Sequence, residues 1–349
     1  MRFYIGKRIG FAIAAVVAGW VPAAFAGRVT DLGPAGGDSF GNAINSSGEA
    51  VGWANDNTTD WAYLYSGGTS QNLGFHGAPL SINNSGTVVG ATGHGAFEYA
   101  NGVETELSVL GADARAEAIN RNGDVTGTYV TGGYNQAFIL SGGIVTTIPP
   151  VSFPPNPFLS GGNYASGYGI NNNGDVVGTA LYAGDHRAFV YSGGSLVLFD
   201  LGTNGAAIND SGQVAGTRLV SNTQIAFLYS GGMVQDLGAL GSGSSYAEGI
   251  NSTGMVVGQS VTASGATRAF LYAGNGMVDL NSFVPDNSGW VLTDARQIND
   301  LGQVVGTGYY NGYRHGYILD TATPEPGTIS LLAAGALGLL LARRRMRQA

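Results

Sequence analysis

A chain of 349 residues without a single cysteine can form neither a disulfide nor a thiolate metal site. From Gly27 to Pro326 it carries 8 Arg, no Lys and 23 acidic side chains, a net charge of −15 that repels phosphate backbones and excludes nucleic acid as a partner. Glycine supplies 59 of the 349 residues, far above ordinary usage, and its placement at regular intervals points to many tight turns.

Met1 to Ala26 has the three parts of a secretory signal. Arg2, Lys7 and Arg8 form the basic region, Ile9 to Val21 the apolar one, and Ala24-Phe25-Ala26 fits the small-x-small rule of signal peptidase. Removal after Ala26 is expected. An uncleaved N-terminal anchor is the competing reading, disfavoured because repeat sequence begins at once.

The repeat has two marks. Ile-Asn with Gly three residues after the Asn recurs at Asn45, Asn83, Asn120, Asn171, Asn209, Asn251 and Asn299, spaced 37 to 51 residues apart. Ala or Gly followed by an aromatic alternates with it, at Tyr63, Phe97, Phe138, Phe189, Phe227, Phe270 and Tyr317. The unit is clearest from Met233 to Tyr272: MVQDL, a run ending AEGIN, MVVGQ and RAFLY. Each run is too short for a helix and is bounded by turn residues, so the unit reads as a small antiparallel sheet. Ser252-Thr253-Gly254 fits a type I turn with a bulge. Four strands in a period near 40 predict an all-β, seven-bladed β-propeller of four-stranded antiparallel blades. A solenoid lacks paired hairpin turns, and an outer-membrane barrel needs strands of ~9–11 residues.

Arg28 to Leu32 is a lone strand whose DLG matches Asp200-Leu201-Gly202 and Asp236-Leu237-Gly238. The last unit lacks this strand, so the N-terminal strand is expected to complete the last blade from outside and close the ring, which removes exposed sheet edges. Residues 27–320 then form the propeller, with the Ile-Asn strands lining its central channel. The Asn-x-x-Gly turns and the Ser-Gly-Gly turns at Ser66, Ser141, Ser192 and Ser230 would share one face. Longer connections, Pro149 to Asn163, Asn281 to Thr293 and Gly308 to His315, would share the other, where a binding site is expected.

The pattern DLG…AxAINxxGxVVG…AFLY resembles the HAF family of extracellular repeats over nearly all of Arg28 to Asp320. It departs at the family's histidine, present here only in His315-Gly316-Tyr317; Trp61, Gly95, Gln136, Arg187, Ile225 and Arg268 stand there in the other units. A function resting on a ring of histidines is excluded.

Residues 321–349 form the tail. Pro324-Glu325-Pro326 precedes fifteen uncharged residues, 328–342, and the basic end Arg343-Arg344-Arg345-Met346-Arg347. A helix of fifteen residues is about 22 Å long, short for a bilayer core of ~30 Å. The Pro pair before it and the Arg cluster after it nevertheless favour a transmembrane helix with a cytoplasmic basic end. The three parts in this order resemble a PEP-CTERM sorting signal. That resemblance implies an inner-membrane precursor, processing by an exosortase, and the surface or matrix of a Gram-negative bacterium that makes exopolysaccharide.

No metal or other cofactor is expected. The residue after the turn Gly is Glu49, Thr87, Asp124, Asp175, Gln213, Met255 or Gln303, so no calcium loop survives across the units, and the recurrent Asn is expected to bond its own turn. His76, His94, His186 and His315 lack ligand spacing. Asn45, Asn57, Asn83 and Asn251 open N-glycosylation patterns, three of which are by-products of the repeat turn. No Ser nucleophile elbow is present, and paired carboxylates from different blades stay open as a route to glycoside chemistry. The candidate ligand face holds Tyr129, Tyr134, Phe158, Tyr164, Tyr182, Trp290, Tyr309, Tyr310 and Tyr313, with Asp113, Asp185 and Asp286 nearby. Flat rings suit sugar faces and carboxylates suit hydroxyls. The competing reading packs half of these rings beneath their own loops. The expected function is a non-catalytic binding or structural surface protein associated with envelope polysaccharide. The alternative is a secreted glycan-active enzyme on the same scaffold.

Overall fold

Runs of alternating small and large residues, each ended by a glycine turn, fold in the computed structural model into seven four-stranded antiparallel sheets. The structure describes residues 27–33, 37–55, 59–149, 164–182, 185–200 and 202–321. The signal at 1–26, nearly all of the Pro149 to Asn163 insert and the sorting tail lie outside the described residues. Six sheets follow the chain from inner to outer strand, over 39–72, 78–106, 115–147, 165–198, 203–238 and 245–279. The seventh takes Trp290–Ile298, Gln303–Tyr310 and Tyr313–Asp320, and its outer strand is Arg28–Asp31. The inner strands touch one another in sequence, and the seventh touches the first, so the sheets stand as blades around a closed ring.

The expected closure is present. Val29 pairs with Leu319 and Thr30 with Ile318, antiparallel. His315 Nδ1 lies 2.8 Å from Asp31 Oδ1, tying the last blade's own strand to the closing strand. Two details differ from the sequence reading. Met233 to Tyr272 is divided between blades, because Met233–Gly238 pairs with the preceding Thr223–Ser230 of the fifth blade, while the strands that follow it form the sixth. Nor is Gly308 to His315 an irregular connection: both strands continue to a two-residue turn at Asn311-Gly312, with Tyr310 facing Tyr313. Asn311 (φ 49°) and Gly312 (φ 92°) take the left-handed conformation such a hairpin needs.

The seven marked aromatics are all fully buried, each at 0% exposure. Every one faces the glycine of the neighbouring Val-Val-Gly or equivalent strand, as Phe189 faces Gly178 and Tyr317 faces Gly306. A Cβ at Gly178 would collide with both the Phe189 ring and the Ser166 carbonyl. The absent side chain is what lets the ring lie flat on the sheet. Burial of each such ring contributes about 2–3 kcal/mol. The two tyrosines at this position also find partners for their hydroxyls, Tyr63 donating to the Phe40 carbonyl and Tyr317 to that of Asp294, both at 2.9 Å.

Candidate functional site

Each inner strand reads small-x-small-Ile-Asn, with Gln297 the one large residue in the small positions. In all seven the pairing register slips by one residue at x, three places before the Asn. A β-bulge re-aims the extra side chain. Here it turns Asn42, Leu80, Glu117, Tyr168, Ala206, Glu248 and Arg296 towards the propeller axis, where all seven line one cavity of about 530 Å³. Tyr164, His186, Asn204 and Tyr246 also stand in its wall. The cavity lies on the face of the longer connections.

Two residues on, the repeated isoleucines point the same way along the pleat. None of the seven lines this cavity. They line instead a smaller one, about 190 Å³, between the Asn-x-x-Gly turns on the opposite face. Six of them are buried and Ile250 is partly so. The isoleucines thus form an apolar ring that belongs to the smaller cavity, and the larger one is a cup on the connection face.

Below the isoleucines lies a ring that local sequence could not show. Each marked Asn side chain accepts from two amides of its own turn, as Asn171 Oδ1 does from Asn173 and Asp175 at 3.0 and 2.9 Å. Its side-chain amide donates to the backbone carbonyl of the next marked Asn: 45 to 83, 83 to 120, and so on round to 299 and back to 45, at 3.0–3.3 Å. The turn bond was expected; the bond between blades was not.

The cup is electrostatically uneven. Glu117 pairs with Arg115 at 2.9 Å, while Glu248 has only the distant Arg296 guanidinium, 3.9 Å away. Burial, and then the neighbouring Asp294, push the Glu248 carboxyl up to about 7, against the pull of Arg296 and a Gln259 hydrogen bond. Arg296 Nε donates to Asp294 Oδ2 at 2.6 Å, and Asp294 Oδ1 is buried without a hydrogen-bond partner. Burial raises the Asp294 carboxyl as well, with Arg296 opposing. Burial also raises the Tyr168 hydroxyl. The cup therefore offers a carboxyl at Glu117 paired with Arg115, a carboxyl poised to donate at Glu248, amides at Asn42 and Asn204 and rings at Tyr164, Tyr168 and Tyr246.

Through Arg296 the cup adjoins a groove of about 500 Å³ between the sixth, seventh and first blades. Its walls include Phe40, Arg268, Asp294, Tyr309 and Arg314.

The aromatics named from sequence do not converge on one surface. Tyr164 is in the cup, its ring 6.0 Å from His186, and Tyr309 is in the groove. Trp290 stacks on Tyr310 at 4.9 Å and packs edge-on against His315 and Tyr317, so much of both flat faces is used internally. Tyr129 lies edge-on against Phe138 at 5.7 Å, with its hydroxyl bonded to Thr147. Tyr134 and Tyr313 are exposed at hairpins of the third and seventh blades. Tyr182 ends a strand of the fourth blade, its side chain outside the described residues, as are Phe158, Ala24, Ala26, Pro324, Glu325, Pro326, Arg343, Arg344 and Arg345. Asp113, Asp185 and Asp286 are exposed. Sequence reasoning missed Tyr168, Glu117, Glu248 and Arg296. The available signal was the one freely varying position in small-x-small-Ile-Asn.

Comparison with known proteins adds an address and a fold. Residues 322–345 match the PEP-CTERM protein-sorting motif, which implies export and exosortase processing at the envelope of a Gram-negative bacterium. No curated protein matches the chain. The β-propeller domain of the trilobed protease from Pyrococcus furiosus, described as having an open velcro topology, is similar in fold at 11% identity; the match has a TM-score of 0.53 and covers 82% of this chain and 94% of that one. The acylaminoacyl peptidase of Pyrococcus horikoshii is similar at 11% identity with a TM-score of 0.50, over 84% of this chain and 54% of that one. These likenesses show the fold alone: the chain is a seven-bladed β-propeller that carries a PEP-CTERM sorting motif.

Proposed function

We propose that this protein is an exported, exosortase-sorted surface or matrix protein that binds a polyhydroxylated ligand, a glycan of the envelope, in the mouth of its axial cup. The propeller of HAF-like repeats is the binding body, and the tail at 328–342 is a transient transmembrane anchor of the precursor. One observation carries the reading. Three tyrosine rings, two glutamates and two asparagine amides line a single cavity on one face. Rings pack on the apolar faces of sugars, and carboxylates and amides take their hydroxyls. The test is titration of the mature protein with oligosaccharides from the producer's exopolysaccharide. Tyr168→Ala with Tyr246→Ala should weaken binding about ten-fold or more, a loss of at least 1.4 kcal/mol. Unchanged affinity would remove the cup from the account.

Glu248 favours a second reading, catalysis on the bound glycan. A carboxyl raised by burial to near 7 is how a general acid is tuned. Release of reducing ends from the polysaccharide, lost in Glu248→Gln, would establish the enzyme. Binding without release would establish the non-catalytic reading.

A further inference from the structure

The eight arginines of the body are few against 23 acidic residues, yet Arg268, Arg296 and Arg314 line one groove. Arg296 is engaged by Asp294 and faces Glu248. Arg268 and Arg314 are not: among the described residues neither has a carboxylate within ion-pair distance. Arg268 donates to the neighbouring Thr267 carbonyl at 2.9 Å. Arg314 stands 5.9 Å over the Phe40 ring, with Tyr309 beside it. Phe40 is itself stacked on Trp53 at 4.2 Å, which holds its plane fixed. Asp38 is the nearest carboxylate to Arg314, accepting from its backbone N–H at 3.3 Å rather than pairing with its guanidinium. In an acidic body, two guanidiniums without an ion-pair partner at one rigid aromatic groove are a site for an anion carried on a flat-faced ligand.

We propose that this groove binds an anionic sugar residue, and that the glycan entering the axial cup is an acidic polysaccharide. The proposal rests on the glycan reading above. Arg268 and Arg314 take the charged substituent from two sides, Phe40 and Tyr309 meet the ring, and Arg296 marks the step from groove to cup. Asp294 does not oppose this. Its carboxyl is neutralised by Arg296 and biased by burial towards the protonated form. A carboxylate and a sulfate ester present the same chemistry to guanidinium groups, and the polymers chosen for the test separate them.

The mature secreted protein is measured against immobilised polygalacturonate, dextran sulfate and neutral dextran. At least one anionic polymer should bind about ten-fold or more tightly than dextran, and the preferred one identifies the substituent. Arg268→Gln with Arg314→Gln should remove that advantage while leaving dextran binding unchanged. Arg314 is exposed and Arg268 only half-buried, so the double variant should keep the parent's circular dichroism and melting temperature. Tyr168→Ala with Tyr246→Ala should weaken all polymers alike. Equal binding of dextran and the anionic polymers, or anionic binding insensitive to the two arginine changes, would overturn the acidic-glycan proposal and leave the cup standing. Failure of every polymer to bind would overturn both.

Discussion

The side-chain amide of Asn299 donates to the backbone carbonyl of Asn45, 254 residues earlier, at 3.0 Å. This bond joins the last blade to the first at the axis, as the pairing of Val29 with Leu319 completes the last blade at the rim. The ring is thus locked at two radii, by residues that recur for different local reasons.

The axial lock predicts a particular pattern of damage. Asn171→Ala strips two turn amides and the Asn209 carbonyl of a partner in a buried setting, and should cost about 2–3 kcal/mol in a denaturant melt. Asn171→Asp keeps the acceptor but sets a carboxylate against Asp175 and the Asn209 carbonyl. Protonation restores a donor, so this variant should be more destabilised at pH 8 than at pH 4.

At the rim, Leu32 is 1% exposed and packs in the cluster that joins the last blade to the first. Leu32→Ala should cost about 2–4 kcal/mol. Deleting residues 28–32 should do more than destabilise. It bares the Tyr313–Asp320 edge, and size-exclusion chromatography should then show dimers or aggregates in place of monomer.

Glu248 should weaken the fold as it ionises. Its carboxyl lies near 7 when folded, while an unfolded glutamate has released its proton by about pH 5. Between those values the native state holds a proton the unfolded state has lost, so stability falls as pH rises through this window. Glu248→Gln should leave the melt at pH 4 unchanged and stabilise the protein at pH 8 by about 1–3 kcal/mol. A residual slope from Asp294, raised in the same direction, should remain.

The propeller was legible because its two marks serve local needs. Asn with Gly three residues later is a turn that only a few residue types can make, and an aromatic facing a glycine is a packing solution restated in each blade. The spare N-terminal strand and the missing last one could be matched by counting. The cup was not legible in the same way. A strand's pleat says that positions three and one before Asn share a side, but not that this side faces an axial opening. Tyr168 and Glu248 occupy a position that holds six residue types in seven blades, where repeat reasoning finds nothing to hold. Trp290 and Tyr310 drew attention as large aromatics on the connection face, yet their rings stack on each other.

The most direct test of the cup as the binding site is oxidative footprinting of the tyrosines, with and without saturating exopolysaccharide fragments. Tyr168 and Tyr246 line the cup at 43% and 37% exposure, whereas Tyr134, at 53%, stands on an outlying hairpin of the third blade. The account predicts that bound glycan protects Tyr168 and Tyr246 and leaves Tyr134 oxidised at its free rate. Protection of Tyr134 with Tyr168 and Tyr246 unchanged would contradict it.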